Sequence, residues 1–311
     1  MAYSAGGLIE ATDYNNFLNG TNQLNTVWGT GSGAVGYGQT ALGTVSAGST
    51  VTATQWATFI NTLNAVRNHQ SGAGTGTITA PTAGQTVTYL NTVATSVNTA
   101  YTNAGLYATQ GSTTTGSAYT AWNPSAATNS AYSAFLDTNI VFASADQART
   151  FFNAGGQLNW RCSATVAGTT RNQGLAGLIN AIGGVNIYNT TNSGRTGSLG
   201  TVTNNNTNIG YRTQVYNSGT TVITSTESAP YASDSATVII FTNDATNTNG
   251  ANGNQVVIRL SLNSVADTYY AADPNNAVVN LATSIRCDVV KPESTYLTDI
   301  WTVPTISWDN A

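Results

Sequence analysis

The chain has 311 residues, enough for two modest domains or one large one, and 41% of them are hydrophobic, with 15 Tyr and 6 Trp, too much apolar surface for a disordered chain. Only 7% are Asp, Glu, Lys or Arg, against about 25% in ordinary soluble domains. The net charge of −4 and the single lysine, Lys291, leave no basic stripe to neutralise a run of phosphates, which excludes nucleic acid as a partner, and no run of about 18 apolar residues offers a membrane-spanning helix.

In chain order, the first hundred residues read as helices separated by glycine-rich loops. After a cap at Thr12 or Asp13, Tyr14, Phe17, Leu18, Leu24, Val27 and Trp28 fall on one helical face, and Gly29–Gly33 ends it. A second helix follows a cap at Thr52 or Thr54, carries Trp56, Phe59, Ile60, Leu63 and Val66 at intervals of three and four, and stops at Gly72. A third, over about 85–104, aligns Val87, Leu90, Val93, Val97 and Tyr101. The stretch from about 111 to 136 is rich in Ser, Thr, Ala and Gly around Trp122 and reads as a linker or extended arm.

Beyond residue 137 the period changes to two. Leu158, Trp160 and Cys162 alternate with polar residues, as do Ile285, Cys287 and Val289, while residues 237–241 pair naturally with 255–262 across a long Asn- and Gly-rich loop. Two short helices interrupt the strands, one over 144–156 with a Ser144 cap and a glycine stop, the other over 173–182 before Gly183-Gly184. The expected fold class is α+β, mainly β: a helical N-terminal module over 1–110, the arm over 111–136, and over 137–311 a β-sandwich or jelly-roll-like domain with short helices.

Chemistry is sparse. The 13 acidic residues form no clustered pair in sequence; Asp234 and Asp244, each bordering a hairpin strand, are the least implausible acid and base. His69, the single histidine, lies near a helix C-terminus with Arg67, where positive charge complements the helix dipole, and no nucleophile-elbow pattern exists to use it. The segment 243–250 lacks the ligand spacing of a calcium loop. Cys162 and Cys287 read as buried free thiols, with a disulfide as the alternative. No catalytic, metal or cofactor-binding residue is expected, and the chain reads as a non-enzyme.

Two stretches carry a resemblance. Gly31-Ser32-Gly33 and Gly36-Tyr37-Gly38-Gln39, continuing to Gln55-Trp56 and Arg67-Asn68-His69-Gln70, form the first; Ser144-Ala145-Asp146-Gln147-Ala148-Arg149 followed by Phe151-Phe152-Asn153-Ala154-Gly155-Gly156 forms the second. Both resemble uncharacterised virion structural proteins of tailed phages, especially those of cyanobacteria and other aquatic bacteria. The resemblance implies a component of the tail, neck or fibre apparatus and supplies no catalytic residues.

Composition points the same way without choosing among adhesins, carbohydrate-binding modules and virion proteins. A surface of amides and alcohols has little long-range repulsion to keep identical molecules apart. The first residues, Met1-Ala2-Tyr3-Ser4-Ala5-Gly6-Gly7, have neither a charged nor an apolar region of a signal peptide, so the expectation is assembly into a virion in the host cytoplasm. Expected partners are copies of the chain and other virion proteins of tail, neck or capsid, with a host-surface glycan as a further one. Trp28, Trp56, Trp122, Trp301 and Trp308 are the candidate interface anchors. The alternatives are a capsid decoration protein and a receptor- or glycan-binding module.

Overall fold

The computed structural model describes residues 10–20, 22–31, 33, 35–76, 78–85, 87, 89–126, 131–168, 170–190, 192–195, 201–227, 233–243, 252–264 and 279–310, the side chains of 192–195 and 201–205 excepted. The chain divides into two compact units, and neither is one continuous stretch. The first takes residues 1–112 and then recruits Arg149–Gly156 and Lys291–Trp301; the second holds Thr113–Ala148, Gln157–Val290 and Thr302–Ala311.

Four helices open the first unit: α1 (Ala11–Leu18), α2 (Leu24–Trp28), α3 (Ala53–Ser71) and α4 (Leu90–Thr102). The apolar face expected to be one helix over 14–28 is split between α1 and α2. Asn19-Gly20 is turn chemistry, and Asn22 adopts a left-handed φ of 67°, so the helix cannot run through. Asn25 then fastens the break, its Nδ2 donating to Asn19 Oδ1 at 2.7 Å. At the start of α1, Asp13 caps from the third helical position, accepting the Glu10 N–H at 3.0 Å. The N-terminus of α3 is a capping box in which Thr52 Oγ1 accepts the Gln55 N–H and Gln55 Oε1 accepts the Thr52 N–H; Gly72, at φ 72°, ends it in the left-handed conformation. Tyr14, Phe17, Trp56 and Phe59 meet in edge-on contacts at the centre, the geometry that aromatic quadrupoles favour.

The second unit is two antiparallel sheets packed as a sandwich with short helices. One sheet runs β1 (Gln110–Thr114), β12 (Thr283–Pro292), β4 (Gln157–Ala164), β5 (Gly184–Ile187), β6 (Asn192–Arg195). The other runs β13 (Thr305–Asn310), β3 (Tyr132–Val141), β10 (Gln255–Ser264), β9 (Ser235–Phe241), β8 (Thr220–Thr226), β7 (Thr201–Asn205). A short pair, β2 (Ser125–Ala126) and β11 (Val279–Asn280), stands apart. Because side chains alternate across a strand, Leu158, Trp160 and Cys162 of β4 stand directly opposite Val289, Cys287 and Ile285 of β12 on one apolar face. The β9–β10 pairing expected from the sequence is present, with Leu260 opposite Val238 and Ile258 opposite Ile240.

Trp160 ties the two sheets together. It is fully buried, and its Nε1–H donates to Thr138 Oγ1 on β3 at 2.9 Å, which satisfies both polar atoms inside the sandwich. Helix α6 (Thr170–Ile182) packs on β4 of one sheet and on β8 and β9 of the other, so it is apolar on more than one side: Leu175, Leu178, Ile179 and Ile182 are all buried. Helix α5 (Ala145–Asn153) starts at a Ser144 cap, whose Oγ accepts the Gln147 N–H at 3.1 Å, and is followed by Gly155 at φ 89°.

The stretch expected as an arm lies against its own unit where it is described. Tyr119 exchanges backbone hydrogen bonds with Ile285, its ring stacks on Trp308 with centroids 5.1 Å apart, and the Trp122 carbonyl accepts from the Thr283 hydroxyl.

Candidate functional site

Gly36–Gln39, Arg67–Gln70 and Arg149–Gly156 all lie in the first unit. Between Gly29 and Gln39 the chain doubles back so closely that a Cβ on Gly31 would meet the Cα of Gly36, and one on Gly36 the Cα of Gly31. Both have positive φ, 53° and 102°, so both the space and the backbone demand glycine. Helix α5 clamps this crossing. Arg149 Nη1 donates to the carbonyls of Thr30 at 2.6 Å and Gly31 at 3.0 Å, and Asn153 Nδ2 donates to those of Val35 and Gly36 at 2.9 and 3.0 Å.

From the glycine crossing the network continues inward. The Tyr37 hydroxyl accepts from Gln70 Nε2 at 3.1 Å, and the same nitrogen donates to the Ala100 carbonyl of α4. Gln39 forms a reciprocal pair with Thr298, its Nε2 donating to the Thr298 carbonyl at 3.1 Å and its Oε1 accepting the Thr298 N–H at 2.9 Å. His69 Nδ1 lies 3.0 Å from Glu293 Oε1, while Glu293 Oε2 accepts the backbone N–H groups of Thr295 and Tyr296. Trp301 Nε1 donates to Thr150 Oγ1 at 3.2 Å.

The expectation that His69 adds positive charge at the end of its helix is corrected here. Its side chain is 0% exposed and that of Glu293 4%. Burial lowers its pKa, against the opposing pull of the Glu293 hydrogen bond and charge, so the imidazole is held neutral, donating Nδ1–H to the carboxylate. Its Nε2 is buried with no hydrogen-bond partner, and the Tyr37 ring meets the imidazole edge-on with centroids 4.9 Å apart. A neutral imidazole tolerates a bare acceptor more readily than a charged one tolerates lost hydration.

A second polar cluster lies in the other unit, where α6 meets the ends of β8, β9 and β10. Arg171 Nε and Nη2 donate to Ser264 Oγ at 3.1 and 2.7 Å, and the Ser264 hydroxyl donates in turn to Asp234 Oδ1 at 2.7 Å. All three are buried, Arg171 completely. Glu227 joins at the rim: its backbone N–H donates to the Asp234 carbonyl at 3.1 Å, and its carboxylate sits where a Cβ on Gly174 of α6 would be. Burial first, then the Asp234 charge, push its pKa up to about 7. Asp234 thus acquires a carboxylate neighbour, but it is Glu227; Asp244 lies outside the described residues, as does most of the segment read against a calcium loop. With Asp234 2% exposed, only Glu227 of this pair reaches solvent.

Three of the five candidate anchors are core residues. Trp56, Trp122 and Trp301 are each 2–3% exposed, so burial removes them as surface anchors. Trp28 is half-buried, with Nε1 donating to the Thr40 carbonyl at 2.9 Å, and Trp308 is half-buried on β13. Cys162 and Cys287 are both free and buried. They sit diagonally on neighbouring strands, Cys162 opposite Ile285 and Cys287 opposite Trp160; that diagonal spans about 7–8 Å, beyond the reach of a disulfide without backbone movement.

Among the described residues, no group of three or more His, Cys, Asp or Glu could hold a metal ion, and no helix is long and apolar enough to cross a membrane. No family model, no curated protein and no solved structure matches the chain.

Two residues important to these clusters escape sequence reading. Glu293 and Thr298 lie more than 220 positions from their partners, and nothing local marks them. Arg171 and Ser264 carry no signal either, since a lone arginine at a helix start and a serine at a strand end are ordinary until the fold buries them.

Proposed function

We propose that this chain is a non-enzymatic structural component of a tailed-phage virion, in the tail, neck or fibre apparatus, acting by homo-oligomeric packing. One observation carries the reading: several of the residues that carry the resemblance to tailed-phage virion proteins help lock the first unit together. Tyr37, Gln39, His69, Gln70 and Asn153 are all buried with hydrogen-bond partners. Side chains committed in this way hold a shape.

The surface supports the same reading. With 7% charged residues, neighbouring copies approach without the repulsion that keeps ordinary soluble proteins apart. Mass spectrometry of separated heads and tails from purified particles tests it. Peptides of this chain in the tail fraction are expected. Their confinement to heads would favour a decoration protein, and their absence from particles would overturn the proposal. Turnover of host polysaccharide by the purified chain, lost on Glu227→Gln or Asp234→Asn, would overturn the non-enzymatic part.

A further inference from the structure

The geometry points to the free edge of β13 as the seam through which two copies of this chain pair, antiparallel and centred on Ser307. This deepens the proposed homo-oligomeric role and rests on it.

An open strand edge is a template for another strand unless it is blunted. Among the described residues no strand lies beyond β13. Two of the other sheet edges are blunted: β6 has four residues, and the β5–β6 and β7–β8 registers both shift. By contrast, β13 runs six residues in unbroken register from Thr305 opposite Val141 to Asn310 opposite Leu136. It contains no glycine, proline or lysine. Exposed Val141 and Val303 flank its start.

Side-chain pairing selects a second copy as the occupant. Ile306 and Trp308 lie on the inner face of β13, and Thr305, Ser307 and Asp309 lie exposed on the outer. An antiparallel mate centred on Ser307 sets Ile306 against the mate's Trp308 twice, an aromatic pair with a β-branched residue. On the outer face it sets Asp309 against Thr305, a carboxylate facing a hydroxyl donor, with the two Ser307 residues at the two-fold axis.

Charge disfavours the register that opposes Asp309 to its own copy. Asp309 is directly opposite Asp137, and Asp137 opposite Arg259; Arg259 already binds Asp137 through two hydrogen bonds of 2.7 Å. The row therefore ends at the edge in an acidic residue, and a second Asp309 there would add like charge to like. The Ser307-centred pair is isologous and closes as a dimer.

The test uses the full chain. Sedimentation of the native protein should give twice the chain mass, and Ser307→Cys should form a disulfide-linked dimer on mild oxidation, the native cysteines being buried. Thr305→Cys and Asp309→Cys should cross-link only when mixed. Ser307→Lys and Ser307→Glu should each sediment as single chains with an unchanged circular-dichroism spectrum, and mixing them should restore the dimer. A native dimer that survives Ser307→Lys and fails to cross-link at Ser307 overturns the seam while leaving the virion role standing. A chain that is single at every soluble concentration overturns the seam outright, and the particle mass spectrometry decides the virion role separately.

Discussion

The Arg149 guanidinium holds the Gly31 carbonyl at 3.0 Å across 118 positions of chain, and Asn153, one helical turn on, holds Gly36. The glycine loop is thus shaped by a helix that follows it by more than a hundred residues. Arg149→Ala should destabilise the first unit by about 1.5–3 kcal/mol, the range for hydrogen bonds to charged donors. Asn153→Ala should cost about 1–3 kcal/mol by leaving buried carbonyls unpaired. Both clamp one loop, so the double variant should lose less than the sum of the two. Urea unfolding followed by tryptophan fluorescence measures all three.

The two units should answer acid in opposite directions. His69 has a pKa below its ordinary 6.5 in the folded chain, so the unfolded chain binds the extra proton first. Stability from this group is present above pH 6.5 and is lost as pH falls toward the folded value. Glu227 has a pKa raised from 4.5 to about 7, so the folded chain binds its proton first. Its contribution is full below pH 4.5 and is lost as pH rises through 7. Glu227→Gln should abolish the second slope and leave the first, as read from unfolding midpoints across pH 4 to 8 with a probe in each unit.

Removing Arg171 should be the most damaging single change in the second unit. Its guanidinium binds Ser264, which binds Asp234, and Arg171→Ala strands a buried carboxylate. A cost of about 3–5 kcal/mol is expected for breaking a buried charged network from one side. A variant with an unfolding midpoint equal to that of the native chain would show the network to be dispensable.

Cys162 and Cys287 should be inert in the native protein. Burial pushes both thiols well above their ordinary pKa, and the thiolate is the reactive form. A chromogenic disulfide reagent should therefore titrate neither in buffer and both in denaturant, in reduced and air-exposed preparations alike.

Much of the fold was legible because it rests on local periodicity. The Thr52 and Gly72 boundaries of α3, the alternation in β4 and β12, and the β9–β10 pairing all follow from spacings within a few residues. The α1–α2 break was marked by Asn19-Gly20 but overridden by a convincing apolar face, since a periodic stripe does not distinguish one helix from two that share a side. The candidate sites were far less legible. Tyr37, Gln39, Gln70 and Asn153 stood out by resemblance, yet nothing in the sequence joins Tyr37 to Gln70, Gln39 to Thr298 or Asn153 to the 35–36 carbonyls; tertiary packing does. Tryptophans misled for a related reason: a large aromatic side chain suits an interface and a core equally well, and Trp56, Trp122 and Trp301 fill cores.

Because the first unit needs Lys291–Trp301 as well as its own helices, it cannot close until that segment has been made. Translation proceeds at about 5–20 residues per second, so after residue 112 the early helices wait on the order of ten to forty seconds for the Glu293 and Thr298 that His69 and Gln39 require. A prematurely terminated copy never acquires the finished module. The last segment to arrive thus carries the partners that seal the first one made, so a copy terminated before Glu293 keeps the early helices but leaves His69 and Gln39 without the groups that hold them.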